Sequence, residues 1–389
     1  MPSVWLLGAA SGLSPFGVTM AVPVLASIAI HFQTDFGIAQ FVISAYLLGL
    51  ASAQPFNGFL CDRFGRRPVM LIGFAVFVLA SIGAAYTTSI GALIACRYLQ
   101  AAGVSVGTVA SRAVVRDTRS ARGSAEAMSY IAAIMGFAPI FAPILGGWLG
   151  AVGGYKSVFL STAVMGAVIW TMMFFSLRET LDPSRASPRL ADWMTNYRIL
   201  LSSRIFLAYS LIFGFVQGSF FAFLAVGAVV FKADFSIGER GFGLIWGLMA
   251  ITYVLGAFIS GRLTRRLGSF RVMNFGIVAT LISGWALTLT IVMSGTTMAG
   301  LLVPLSFLMA AAGAVTPGSL AGAVNTHPEM AGTSSGLSSA IGIVLGGLFT
   351  VVAGFIYQGD FATVSWLVAL STSLTAFSWW WVRNHEHPA

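Results

Sequence analysis

The sequence has 389 residues, 57% of them hydrophobic and only 8% charged, and its mean hydropathy is +0.89. Soluble chains carry roughly a quarter charged residues, so a soluble fold is excluded; about 20 apolar residues carry a helix across a bilayer. The net charge of +9 does not indicate nucleic acid, because the arginines lie in short loops between apolar runs, where membrane lipid and the inward bias of positive loops account for them.

About twelve apolar runs are expected to span: 4–31, 37–57, 69–88, 90–115, 124–150, 155–177, 204–230, 238–262, 270–293, 298–322, 331–356 and 361–382. The first is too long for the core of a cleaved signal and is expected to remain as a spanning helix. Cys61 and Cys96 are too few for a disulfide framework and read as small apolar fillers.

Between the second and third runs lies GFLCDRFGRRP at 58–68. Asp62, Arg63, Arg66 and Arg67 are framed by Gly58, Gly65 and Pro68, which reads as a helix leaving the membrane, turning tightly and re-entering. In the fourth run Arg97 is the one ionisable residue placed well inside a span. With Gln100, Val104, Thr108 and Ser111 it forms a stripe on one helix face. A cation at that depth needs either polar partners on neighbouring helices or a wet cavity; the stripe is taken as lining a substrate or proton path. The fifth run contains GFAPIFAPILGG at 136–147, where Pro139, Pro143 and Gly147 share one stripe and Ala138, Ala142 and Gly146 a neighbouring one. Prolines bend a helix and small residues allow close packing.

The longest polar stretch, 178–203, divides the chain into two groups of six spans, 1–177 and 204–389. The segment GRLTRRLG, starting at Gly261, repeats the frame of the first turn: Gly58, Leu60, Arg63 and Gly65 match Gly261, Leu263, Arg266 and Gly268 at a constant offset of 203, with Arg265 in place of the acid. Gly146 and Gly147 are echoed by Gly346 and Gly347. Two related six-helix bundles with a path between them produce such offsets. Nearly all arginines lie in alternate loops and the C-terminal tail, whereas the opposite loops hold Lys156, Lys232 and Arg240. Both termini are therefore expected on the cytoplasmic side. Polar and aromatic residues near mid-depth, Tyr46, Arg97, Gln100, Gln217, Trp246 and Tyr253, are the expected cavity lining. The tryptophans, Trp379–Trp381 included, are read mostly as interface anchors.

The first turn, read as G-x-L-x-D-R-x-G-R-R-P, closely resembles the loop between helices 2 and 3 of major facilitator superfamily transporters. RYLQAAGVSVGTVASRAVVRD at 97–117 is similar to the helix 4 motif of drug/proton antiporters, and its ending resembles the Bcr/CflA branch. The helix 5 stretch is similar to the superfamily's antiporter motif, with Ala142 where many members have glycine. LRETLDP, the region from Pro304 to Pro317, and AGTSSGL at 331–337 extend the resemblance over essentially the whole chain. It implies an all-α multi-pass protein of the inner membrane, a monomer, that exports small, partly apolar molecules such as antibiotics in exchange for protons by alternating access. It also implies a cytoplasmic latch of Asp62, Arg63, Arg66, Arg112, Arg116 and Asp117, and helix-packing or gating roles for Gly58, Gly65, Pro139, Pro143, Gly146 and Gly147. One departure bears on coupling: members of this branch commonly carry an acid in helix 1 where Thr19 stands, so proton exchange through helix 1 is expected to be weak. An exporter or facilitator of one endogenous metabolite, an anionic one held by Arg97, is the alternative reading. A membrane enzyme or receptor is disfavoured, since no paired acids, nucleophile constellation or metal-ligand cluster occurs; no cofactor or metal is expected.

Overall fold

The computed structural model describes residues 3–181 and 190–386. Residues 182–189 of the expected central loop, with Asp182, Pro183, Arg185, Pro188 and Arg189, lie outside them. The described residues are nearly all helical: α1 Val4–Met20, α2 Leu25–His31, α3 Phe36–Ala39, α4 Phe41–Phe64, α5 Arg66–Tyr86, α6 Ile90–Thr118, α7 Ala121–Ser176, α8 Leu190–Ser202, α9 Arg204–Phe235, α10 Glu239–Leu267, α11 Ser269–Ser294, α12 Met298–Asn325, α13 Ala331–Ile356 and α14 Phe361–Glu386. Among them ten helices are long and apolar enough to cross a membrane, or eleven when α1 and α2, bent by 59°, count as one span. The 56-residue α7 loses helical geometry at Gly153 and Gly154. Counting its two limbs separately reaches the twelve expected crossings.

Several boundaries differ from the hydropathy reading. The first span is broken where Pro23, which has no N–H to donate, interrupts the ladder between Met20 and Leu25. The turn expected over 58–68 shrinks to Gly65, because α4 runs on through Asp62 and Arg63 to Phe64 and α5 begins at Arg66. Gly65 has φ +97°, a conformation that glycine adopts without a Cβ penalty, and Gly268 repeats it at φ +81° between α10 and α11. Within the polar stretch 178–203, α8 forms a 13-residue helix that hydropathy alone does not announce. Some helix starts are capped by side-chain oxygens: Ser89 accepts from the Ala92 amide at 3.1 Å and Thr297 from the Gly300 amide at 3.2 Å.

The chain packs as two units: Met1–Asp35, Phe41–Trp193 and Glu239–Leu244 form one, and Phe36–Gln40, Met194–Gly238 and Ile245–Ala389 the other. Inside the first, α1 lies so close to α6 that a Cβ on Gly107 would run into the Ala10 carbonyl. Polar side chains bridge the same contact: Ser11 donates to the Gly107 carbonyl at 3.2 Å and Ser111 to that of Leu7 at 3.0 Å. Inside the second, Gly256 and Gly313 allow α10 and α12 the same backbone proximity. There Leu200, Phe206, Ile212, Val216 and Val315 are buried together, with Tyr197 of α8 packed against them. Trp379, read with its neighbours as an interface anchor, is buried in this cluster, against Phe270 and donating to the Asn274 side chain at 3.1 Å. An indole whose N–H finds a partner is at home in such an interior. Trp380, 54% exposed, is the one that faces outward.

Candidate functional site

The break after α1 creates a need that α6 answers. A helix end leaves carbonyls without intrahelical donors. Where α1 ends, the Ala21 amide turns to the Thr19 carbonyl. Arg97 then supplies the Gly17 carbonyl from Nη2 at 3.0 Å, and from Nε it donates to the Val42 carbonyl of α4 at 3.1 Å. Its Nη1 donates to Gln100 Oε1, one turn along α6. The Gln100 amide continues to Ser81 Oγ of α5 at 2.6 Å and to Thr162 Oγ1 on the second limb of α7 at 3.2 Å. The guanidinium lies over the Tyr46 ring, 4.1 Å from its centroid, with Phe159 at 5.6 Å. Tyr46 itself donates to the Ser14 carbonyl at 3.1 Å. Arg97 and Gln100 are both 0% exposed. One arginine thus ties together α1, α4, α5, α6 and the second limb of α7.

The other residues expected in a cavity belong to the second unit. Trp246 is buried, stacked on Phe223 with ring centroids 5.7 Å apart and next to Phe220 at 5.1 Å. Gln217 and Tyr253 are half-buried, Tyr253 against the cluster around Ile212. Thr19, where the relatives' acid would stand, donates to the Pro15 carbonyl of its own helix at 3.1 Å. Every acid among the described residues lies outside the spans or within six residues of a span's end.

A second cluster surrounds Gly65. Arg66, only 2% exposed, pairs with Asp62 at 2.8 Å and with Asp117 at 3.0 Å, and donates to the Cys61 carbonyl at 2.7 Å. Asp62 and Asp117, expected to share a latch with Arg112 and Arg116, therefore converge on Arg66. Arg63 is exposed, with Phe64 beside its guanidinium at 5.5 Å; Arg112 and Arg116 are also exposed. Asp117 is 5% exposed and Asp62 42%. An exposed pair contributes at most about 1 kcal/mol, whereas a buried carboxylate that holds a buried arginine is worth more. Asp117→Asn is accordingly expected to destabilise the protein by about 1–2 kcal/mol, clearly more than Asp62→Asn, as read from apparent unfolding temperatures of the two variants.

The sequence reading passed over the residue that closes this cluster. Glu179, beyond the end of α7, accepts from the amides of Arg66 at 2.9 Å and Arg67 at 3.1 Å, and from those of Thr180 at 2.9 Å and Leu181 at 2.8 Å. It caps the start of α5, where amides lack intrahelical acceptors and negative charge is favoured. Burial by itself pushes its carboxyl upward, but the four amides outweigh this and hold it below its usual value. A Cβ on Gly65 would meet this carboxylate, a second reason for glycine there. The signal available beforehand was the R-E-T-L-D-P stretch, matched only as a whole.

In the helix 5 motif, within the first unit, Gly146 takes the backbone of Met20, Gly147 that of Glu239, and the Pro143 carbonyl lies against Gly243. At these positions neighbouring backbones approach closely. Gly58 is open by comparison, its nearest neighbour being Val109.

Apolar spanning helices, joined by tight charged turns and tied by a buried arginine knot, define a multi-span membrane protein. Residues 7–351 match the Major Facilitator Superfamily, and the chain belongs to it. It is 26% identical to a bicyclomycin resistance protein homolog of Haemophilus influenzae, over 88% of this chain and 87% of that one. It is 27% identical to multidrug resistance protein D of Escherichia coli, covering 93% and 90% of the two chains. Its fold matches the inward-facing, unoccupied crystal structure of a bacterial homolog of the human lysosomal transporter Spinster, with a TM-score of 0.76 at 14% identity and coverage of 99% and 98%.

Proposed function

We propose that this chain exports small, partly apolar molecules, antibiotics among them, across the inner membrane by alternating access, with both termini cytoplasmic and the monomer as the working unit. The observation that carries the reading is the likeness, along nearly the full chain, to two relatives named for drug resistance. The aromatic character of the second unit around Trp246, Phe220 and Phe223 suits bulky apolar ligands. The alternative, one anionic metabolite held by Arg97, is weakened because that guanidinium already has three hydrogen-bond partners within the protein. With Thr19 bonded to its own helix and no acid at mid-span among the described residues, coupling to protons is weaker than through a buried carboxylate.

The test is counterflow in proteoliposomes with a panel of antibiotics that includes bicyclomycin and a panel of metabolites, with and without a pH gradient at zero membrane potential. Counterflow of several unrelated drugs, with modest stimulation by the gradient, is the expected result. Flux of a single metabolite and of no drug would replace this reading with the alternative. Strong uphill flux in a variant lacking the carboxylates of both Asp62 and Asp117 would place the proton site elsewhere.

A further inference from the structure

Within the first unit the start of α10 lies against α7 backbone to backbone. A Cβ on Gly147 would run into the Glu239 carbonyl, and one on Gly243 into that of Pro143. The Glu239 side chain continues along the same face of α7. Its Oε2 is shielded from solvent and rests where a Cβ on Gly150 would be, with a Val24 methyl at the same spot. A carboxylate oxygen is thus seated between a glycine and an aliphatic side chain. Two effects oppose each other there. The first position of α10 favours negative charge, whereas burial beside apolar groups favours the neutral carboxyl. Only the second effect belongs to the contact with α7, because the helix start travels with α10 and the Gly150–Val24 seat does not.

We propose that Glu239 makes this contact sensitive to pH: the protonated carboxyl keeps the start of α10 packed on α7, and the ionised carboxylate releases it. Alternating access, on which this rests, needs contacts that open and close once per cycle; with both termini cytoplasmic, this end of α10 faces outward. The packed arrangement shields the oxygen and so holds a proton more tightly than the parted one. A fall in pH therefore stabilises packing, and a rise weakens it. A contact built from glycines and backbone parts without drawing large side chains out of pockets. Within the first unit the titratable and charged side chains on the surrounding elements are Arg240 on α10 itself, Tyr155 and Lys156 on the second limb of α7, His31 at the end of α2 and Asp35 after it. All of these remain when Glu239 alone is replaced, which separates their contribution from its own.

The experiment uses the purified full chain in neutral detergent, without substrate. Spin labels are attached through Val152→Cys on α7 and Leu244→Cys on α10, both exposed positions of the first unit, in a Cys96→Ser background. Their distance distribution is read from about pH 4.5 to about pH 8, a range that spans carboxyl titration. The expected result is a short component that dominates at the acid end and a longer one that grows severalfold towards the alkaline end. Adding Glu239→Gln, whose amide stays neutral, is expected to leave the short component dominant throughout. Should that variant fail to fold, Gly150→Ala, which puts a methyl where Oε2 rests, is expected to favour the longer component throughout. A distribution that does not change with pH, one that shifts the opposite way, or a pH response that survives Glu239→Gln overturns the proposal. Drug counterflow by the unlabelled chain tests the exporter reading separately: its absence beside a pH-dependent distance overturns that reading and supports the Glu239 contact.

Discussion

Arg97→Ala is expected to lower the apparent unfolding temperature and abolish transport together. The substitution removes three hydrogen bonds, to the carbonyls of Gly17 and Val42 and to Gln100. The Gly17 carbonyl sits where α1 ends, so no helical amide takes over. Losing one member of a buried, hydrogen-bonded polar network costs about 3–5 kcal/mol, because the partners stay buried without their donor. For a chain of this length that corresponds to a shift of roughly 4–6 °C. Arg97→Lys is expected to recover only part of it: an ammonium is a point charge and does not reproduce the fork that reaches two carbonyls and Gln100 at once. Gln100→Ala should show a smaller loss, since Ser81 and Thr162 keep carbonyl acceptors on their own helices at 2.6 and 2.8 Å. Thermal unfolding of the variants in detergent, alongside flux in proteoliposomes, decides the matter. Lost flux with an unchanged unfolding temperature would make Arg97 a substrate ligand, the role the polar stripe first suggested.

Removing the Glu179 carboxylate is expected to loosen the α4–α5 turn. In Glu179→Ala four amides lose a charged acceptor, at a cost of about 2–4 kcal/mol, tempered by the water that reaches this half-exposed site. Glu179→Gln keeps the shape and one acceptor oxygen, so its loss should be smaller. The sign of the pH dependence follows from the depressed carboxyl. The folded protein binds this proton less readily than the unfolded chain, so the contribution is fully present above the unfolded carboxylate value near 4.3. It is lost as pH falls through the lower, folded value. The stability gap between wild type and Glu179→Gln should therefore be wide at pH 7 and narrow towards pH 3. A gap that stays constant over that range would show that the carboxylate's charge is not what holds the turn.

The amino-acid sequence by itself determined the class of the protein, the number of its crossings and the repeat between its halves. These follow from local properties. Every span must satisfy its own backbone in lipid, so each one is written as a continuous apolar run, and the turns at Gly65 and Gly268 are marked by glycine between charges. α8 escaped because a short helix with one apolar face looks like polar loop when averaged. The partners of the buried polar groups were decided only by tertiary structure. Arg97 was visible as a deep cation, but its acceptors are main-chain carbonyls 80 and 55 residues away, and a carbonyl has no signature in a sequence. Glu179 lies 113 residues from the amide it caps, and one exposed-looking acid near a helix end is like any other until the chain brings it to Gly65. Trp379 looked like its tryptophan neighbours in the sequence, and only the packing set Asn274 against its N–H. Hydropathy reports where each residue sits along the membrane normal; which groups meet across helices depends on how the helices rotate and bend, and that is settled by packing at glycines such as Gly107 and by the break after Met20.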